Sequence, residues 1–381
     1  IINGEAYPTT PEGFFLSNKD ANGEAQSTEV LLLKTKEGYE LNLTGNHKVW
    51  AICHSSGPYP EWVEAAKLKP GDKVKLHDHR KASWKDSKTF EDGWLLGVLI
   101  VQGEFEEQGV SLTLEEEFSE SLRTYAVSVM DKVGPGVEEY AHHNHESHSS
   151  TFSFPAACLK FASSFGISQR NREISKKIEE AGFNFYRGFL RGVYDAAGQI
   201  KEPADAPPII QLEHESPEFL KAIQRMLLRL GIVSKISPSA KKHDIGVQDV
   251  QDFLDKCTNN KNTLPSIPES DFLTPETQDQ YKLLITGQNI DVFSERIGFN
   301  HKQKEAQLVR LISYYGSKFL LEEEEFFATI SDDGLQPNGF QRVYDCQVPG
   351  EHRFDANGIV AHNCGEIFLP PNSACNLGSL V

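Results

Sequence analysis

Cysteine is scarce in this sequence. Six occur in 381 residues (Cys53, Cys158, Cys257, Cys346, Cys364 and Cys375), and no two form a Cys-x-x-Cys pair. That spacing argues against structural zinc and against a disulfide framework, and it fits a reducing compartment, so a cytoplasmic location is expected. Long apolar runs are missing too. None approaches the ~18 residues that a membrane span requires, and no stretch has the pattern of a signal or transit peptide. No membrane partner is expected. Positive charge is in short supply: 38 Lys and Arg stand against 55 Asp and Glu, for a net charge of -17. That balance is unfavourable along a phosphate backbone, so DNA binding is expected to be weak or lost. The length exceeds the usual size of one domain.

The stretch richest in chemistry lies near the end. Val343-Tyr344-Asp345-Cys346-Gln347-Val348 and a second run over residues 354–361 flank a turn at Pro349-Gly350. Both are short and apolar, and they read as two β-strands. The second run stops at His362-Asn363-Cys364. His can give or take a proton near neutral pH. The Asn side-chain amide can reach its own C-terminal carbonyl and close a five-membered imide. Cys is a nucleophile as the thiolate. Side by side, these are the parts for cutting the 363–364 peptide bond while keeping the downstream Cys as an acyl acceptor.

Residues 1 to about 88 read as β-rich. An apolar run over 28–33, a Lys36-Glu37-Gly38 turn and the alternating Tyr39-Glu40-Leu41-Asn42-Leu43 make a hairpin. It leads into Thr44-Gly45-Asn46-His47, then Trp62 and Val63, a Lys69-Pro70-Gly71-Asp72 turn and a short strand at Lys73-Val74-Lys75-Leu76.

The C-terminal stretch, with Asp345 and His352 ahead of the tripeptide, resembles the C-terminal splicing region of inteins, which excise themselves and ligate their flanks. Thr44-x-x-His47 followed by Leu68-Lys69-Pro70-Gly71-Asp72-Lys73-Val74 resembles their N-terminal splicing half. The resemblance implies an all-β Hedgehog/intein fold built from both chain ends. It implies that Thr44 and His47 polarise the upstream scissile amide and that Asp345 assists acyl transfer onto Cys364. His352 would help deprotonate the Asn363 amide, and His362 would polarise or protonate the scissile bond while Asn363 cyclises. No cofactor is implied. Residues 1–14 resemble an intein opening just after its first residue, normally Cys and sometimes Ser. The chain begins without that residue, so C-terminal cleavage is expected and ligation is not.

Residues 91–320 differ in texture. An apolar helix-like run over 93–105 carries Gly93 and Gly97; a similar run over 185–198 carries Gly188 and Gly192. Glycines four apart share one helix face, where a second helix can approach closely. Because Gly costs ~1 kcal/mol against Ala in a helix, the pairs point to packing. The repeat reads as two pseudo-symmetric halves meeting at these helices and resembles the paired motifs of LAGLIDADG homing endonucleases, an α+β fold. Residues 171–181 and 219–232 match segments flanking the second motif. In active members each helix ends in a carboxylate that holds a divalent metal such as Mg for phosphodiester cleavage. Here those positions are Gln102 and Ala197, which are not hard-metal ligands. Glu104 and Asp195 are two residues off and are expected to point elsewhere. Residues 91–320 hold 24 Lys and Arg against 33 Asp and Glu. A degenerate endonuclease follows. His142, His143, His145 and His148 read as a solvated loop, and residues 322–325 as an acidic segment.

After Asn363, the run Cys364-Gly365-Glu366 through residue 381 resembles the active-site segment of ribonucleotide reductase large chains, nearest the adenosylcobalamin-dependent class. There the Cys carries a thiyl radical and the Glu assists at the ribose, which would be Cys364 and Glu366. The expected division is 1–88 and 323–363 for the splicing domain, 89–322 for the insertion, and 364–381 for host sequence. The partners are then the flanking exteins. Rival readings are an active DNA homing endonuclease, a reductase proper (whose activity would belong to the spliced product), and a relative that only cleaves itself.

Overall fold

The computed structural model of the chain describes residues 14–16, 24, 26–80, 84, 89–106, 109–115, 125, 141–144, 149–203, 207–239, 280–319, 326–346 and 353–362. Phe14–Leu16 is β1. Thr28–Thr35 (β2) buries Val30 and Leu33 and returns as Glu40–Leu43 (β3), with Leu33 opposite Leu41. This is the hairpin expected from the alternation. Thr35 stitches its turn, Oγ1 accepting from the Tyr39 N–H at 2.9 Å. Lys48–Ile52 (β4) pairs with Glu61–Glu64 (β5), and Lys73–Lys75 (β6) lies on the other side of β4. Val49, Ala51 and Val74 are fully buried on the core face.

A capping box opens the next unit. The Asp92 N–H donates to Thr89 Oγ1 at 3.2 Å and the Thr89 N–H to Asp92 Oδ2 at 3.3 Å, starting Phe90–Gln102 (α1). Gly103–Phe105 (β7), Gly109–Glu115 (β8), Ala141–Asn144 (β9) and Ser149–Pro155 (β10) form a sheet in the order β7-β8-β10-β9. The expected helix over 93–105 therefore stops at Gln102. Gly103 takes the chain off tightly into β7, and a Cβ there would lie 2.5 Å from the Leu99 carbonyl oxygen. The expected histidine loop is also corrected in part. His142 and His143 sit in β9 opposite Thr151 and Ser150, because β10 presents an edge for them to pair with; His145 and His148 lie outside the described residues.

Ala156–Ser164 (α2) and Lys176–Glu179 (α3) lead to Phe183–Ala197 (α4). Gln199–Lys201 (β11), Ile209–His214 (β12), Pro217–Arg229 (α5), Lys235–Pro238 (β13) and Tyr281–Ile285 (β14) follow, with sheet order β11-β12-β14-β13. Asn289–Arg296 (α6) and Lys302–Phe319 (α7) complete this part.

The four helical glycines decide how α1 and α4 meet. A Cβ on Gly93 would lie 1.9 Å from the Phe185 carbonyl oxygen, and one on Gly188 would lie 1.9 Å from that of Phe90. Gly97 faces Phe189 O at 2.2 Å and Gly192 faces Trp94 O at 2.1 Å in the same sense. Each contact repeats with the two helices exchanged, which is what a two-fold relation requires. The repeat expected from the sequence is thus a backbone-to-backbone contact that admits no side chain.

Phe327–Gln341 (β15) spans β6 with its first three residues and β2 with the rest. Tyr344–Cys346 (β16) pairs with β1, and Arg353–Ala356 (β17) turns into Ile359–His362 (β18). The sheet runs β17-β18-β4-β6-β15-β2-β3, with β5 also on β4, so it draws strands from both ends of the chain. The second of the two strands expected near the end is in fact a hairpin. Asn357 (φ 51°) and Gly358 (φ 92°) both adopt positive φ, which a two-residue hairpin turn needs. Residues 322–325 lie outside the described residues.

The two cores touch. Leu228 of α5, 1% exposed, sits in the core of the eight-stranded sheet with Tyr39 and Ile359. Gln224 Nε2 donates to the carbonyls of Glu37 and Ser234 at 2.8 and 2.9 Å, and the Ile236 N–H donates to Glu37 O at 2.9 Å. Gly188→Ala forces α1 and α4 apart and is expected to destabilise the chain by ~1–3 kcal/mol or more, read as a lower denaturant midpoint. An exposed control such as Lys160→Ala stays within ~0.5 kcal/mol.

Candidate functional site

The turn after β3 is pinned before it reaches β4. The His47 N–H donates to Thr44 O at 3.0 Å, the Ala65 N–H to His47 O at 2.8 Å, and the Ala66 N–H to Gly45 O at 2.8 Å. Thr44 and His47 are half-buried there. The far end of the chain arrives on the same strands: Ala361 pairs with Val49 in antiparallel register. The His362 ring stands edge-on to Trp62 at 4.8 Å, and Trp62 stands on Trp50 at 4.9 Å. The His47 ring meets Phe354 of β17 edge-on at 6.1 Å. The structure therefore brings Thr44, His47 and His362 to neighbouring parts of one sheet. Asp345 lies in β16 opposite Phe15 of β1. His352, Asn363, Cys364 and Glu366 lie outside the described residues.

Asp72, seen in the sequence as a turn residue, organises the loops beneath this region. Its Oδ2 accepts from the Lys69 N–H at 2.8 Å, and its Oδ1 from the His54 N–H at 3.0 Å. Burial raises its pKa, but these hydrogen bonds outweigh it and hold the carboxyl below the usual range. Burial and the Asp72 charge push the Cys53 thiol up to about 11, so it is no thiolate at neutral pH. Reasoning from the sequence missed His77, His79 and Asp355. His79 Nε2 donates to Asp355 Oδ2 at 2.9 Å, with His79 fully buried. A charged residue inside the apolar run over 354–361 was the signal available.

α1 and α4 end side by side. Gln102 Nε2 donates to Ala196 O at 3.0 Å, tying one helix end to the other. Ala197 has no ligating atom. Asp195 is buried and fully engaged: Trp94 Nε1 donates to Oδ2 at 2.7 Å, and the Asn300 and His301 N–H groups donate to Oδ1 at 3.0 and 3.1 Å. It caps the start of α7 and braces α1. Glu104 is exposed on β7. Cations occupy equivalent places at the two helix ends. Arg172 Nη1 reaches Ile100 O at 3.4 Å, and Lys304 Nζ reaches Asp195 O at 2.7 Å. Burial lowers Lys304 to about 8. Among the described residues no group of three His, Cys, Asp or Glu could hold a metal ion. A divalent cation does not fit this donor set.

Residues 184–298, from the start of α4 to the end of α6, match the family described as LAGLIDADG-like domain. The chain carries a LAGLIDADG-like domain. It is similar over 80% of its length to the DNA-directed RNA polymerase subunit Rpo1C of Methanocaldococcus jannaschii, at 21% identity and over 34% of that protein. It is similar over 96% of its length to the ribonucleoside-diphosphate reductase NrdEB subunit alpha of Bacillus subtilis, at 22% identity and again over 34% of that protein. The chain thus spans about a third of the length of these curated relatives. A structure of I-DmoI in complex with DNA and Ca aligns with a TM-score of 0.37 at 13% identity, covering 58% of this chain and 97% of that one. No described helix is long and apolar enough to cross a membrane.

Burial raises Asp195 to about 6, against the hydrogen bonds from Trp94 and His301 that favour its charge. An acid with a raised folded pKa contributes stability that is full below about pH 4 and is lost as pH rises through about 6, here ~3 kcal/mol. Asp195→Asn removes that dependence. Unfolding free energies compared at about pH 4 and about pH 7 should therefore move in the variant's favour by up to this amount.

Proposed function

We propose that this chain is a self-splicing insertion of the intein type, carried in a ribonucleotide reductase host. Residues 1–88 and 323–363 form its Hedgehog/intein splicing domain, 89–322 a LAGLIDADG domain that no longer cuts DNA, and 364–381 the first host residues downstream. The observation that supports this best is the pairing of Ala361 with Val49. It puts the strand ending at His362 against the strand that opens just after Thr44 and His47. Two motifs from opposite ends of the sequence are useful to one reaction only if they share a site.

The relatives support the reading from another side. An RNA polymerase subunit and a reductase subunit catalyse different reactions, yet this chain is similar to about a third of each. A mobile element inserted into unrelated hosts leaves that pattern.

The chemistry proceeds within one chain. The Asn363 side-chain nitrogen attacks its own carbonyl carbon and closes a succinimide, and the bond to the Cys364 nitrogen breaks. His352 takes a proton from the amide, and His362 supplies one to the departing amine. A positioned acid or base of this kind contributes ~10²–10⁴-fold. In full splicing Cys364 first accepts the upstream acyl group, with Asp345 assisting, and Thr44 and His47 polarise the upstream amide. No cofactor takes part; the adenosylcobalamin implied for the host belongs to the reductase.

Incubation followed by mass spectrometry tests the junction. The peptide beginning at Cys364 should be released slowly, leaving succinimide or its hydrolysis products at Asn363. Asn363→Ala abolishes release, and His362→Ala slows it by up to ~10²–10⁴-fold. Release at an undiminished rate from Asn363→Ala would sink the mechanism. The purified chain with magnesium or manganese should leave an intein-less reductase gene uncut, since Gln102 and Ala197 supply no metal carboxylate; specific double-strand cutting refutes that half of the proposal.

A further inference from the structure

β18 has an unusual problem of register. Its residues Ile359, Val360 and Ala361 are 0%, 5% and 0% exposed, so all three are buried rather than alternate ones. A strand slipped by one residue turns every side chain to the opposite face, and an alternating pattern normally forbids this. An apolar run buried on both faces does not. Yet the face matters here, because a slip would carry the His362 ring away from Trp62. The ladder to β4 is short, with Ala361 opposite Val49 as its paired position. Something else holds the strand in place.

The polar groups at the other end of the hairpin meet that need. Asp355 Oδ1 accepts from the Gly358 N–H at 2.5 Å, closing the turn between β17 and β18. Its Oδ2 accepts from His79 Nε2 at 2.9 Å, 276 residues earlier in the chain. His79 is 0% and Asp355 15% exposed. The segment bearing His79 is itself tied to the hairpin: Leu76 bridges Ile359, and the His77 N–H donates to Gly358 O at 2.9 Å. The His77 ring stacks on His79 at 5.2 Å with planes 3° apart. From α5, Leu228 presses on the turn, where a Cβ on Gly358 would lie 2.4 Å from its Cδ2. The titratable groups facing Asp355 are His77 and His79, with the cation Arg229 of α5; Arg353 faces His77. Burial raises the Asp355 pKa, but the His79 hydrogen bond, the neighbouring imidazole of His77 and the Gly358 N–H hold it at about 2, so its carboxylate is an ionised acceptor. A buried polar pair of this kind is a weak source of net stability, and its best-attested use is to specify register.

We infer that His79 and Asp355 are positioning residues that set the register of β18 and thereby fix which face His362 presents at the splice junction. The inference rests on the splicing reading for its consequence but not for its geometry. A slipped or exchanging strand still packs its apolar residues; it misplaces one imidazole. A misplacement of about 1 Å can cost ~10²-fold in rate.

The test is the full chain with His79→Leu and Asp355→Leu together, which replaces the pair with apolar groups and leaves no buried charge unpaired. The double variant should fold with a denaturant midpoint near that of the parent. In an Asn363→Ala background, which keeps the chain intact, NMR contacts between the Trp62 and His362 rings and between Val49 and Ala361 should weaken or split into two sets. In the Asn363 background, release of the Cys364 peptide should slow by ~10–10²-fold. Asp355→Asn keeps an oxygen for the Gly358 N–H and an amide that donates to His79 Nε2 in its other tautomer, so it should retain the ring contact and nearly the parent rate. A folded Leu/Leu variant with one unaltered set of Trp62–His362 contacts overturns the inference. If the parent releases no peptide but the contacts still respond to the pair, the splicing reading fails and the register inference stands.

Discussion

The structure depends on strands from opposite ends of the chain sharing one sheet. β15 is the link: three residues pair with β6 and the remainder with β2. Everything between β6 and β15 is, to the sheet, a very long connection. The entropy of closing a loop grows only with the logarithm of its length, each doubling costing ~0.6 kcal/mol. A domain of this size can therefore sit in the connection at little cost, provided that its own ends lie close together. It is more than a passenger here. Leu228 enters the core of the sheet, and Gln224 and Ile236 hydrogen-bond to the β2–β3 turn.

Within that domain, packing and chemistry are separate constraints. Backbone contact between α1 and α4 needs glycine at positions 93, 97, 188 and 192, whatever the helices carry at their ends. All four glycines are present. The ends present Gln102, Ala197 and the cations Arg172 and Lys304. Asp195, the nearest carboxylate, is occupied in capping α7 and bonding Trp94.

Much of this was legible from residues alone where the signal is local. The β2–β3 hairpin followed from alternation and a turn tripeptide, and the paired helices followed from glycines at a fixed spacing. Other features were misread locally. Gly103 ended a helix that apolar composition would have prolonged. Asn357-Gly358 split one apparent strand into two, although that dipeptide is itself a hairpin signal. His142 and His143 joined a strand because β10 offered them an edge, which no window of neighbouring residues reveals.

By itself the sequence determined the inventory: a His-Asn-Cys tripeptide, a Thr-x-x-His turn, two glycine-paired helices, and helix ends without carboxylates. These are short-range facts of residue type and spacing. Only the tertiary structure decided which of them are neighbours. That Ala361 lies against Val49, that His362 faces Trp62, and that His79 reaches Asp355 all depend on strand pairing across nearly the whole chain. Strand pairing is made by backbone groups that are the same in every residue, so the choice of partner and register falls to burial and to a few buried polar contacts that sequence order does not display.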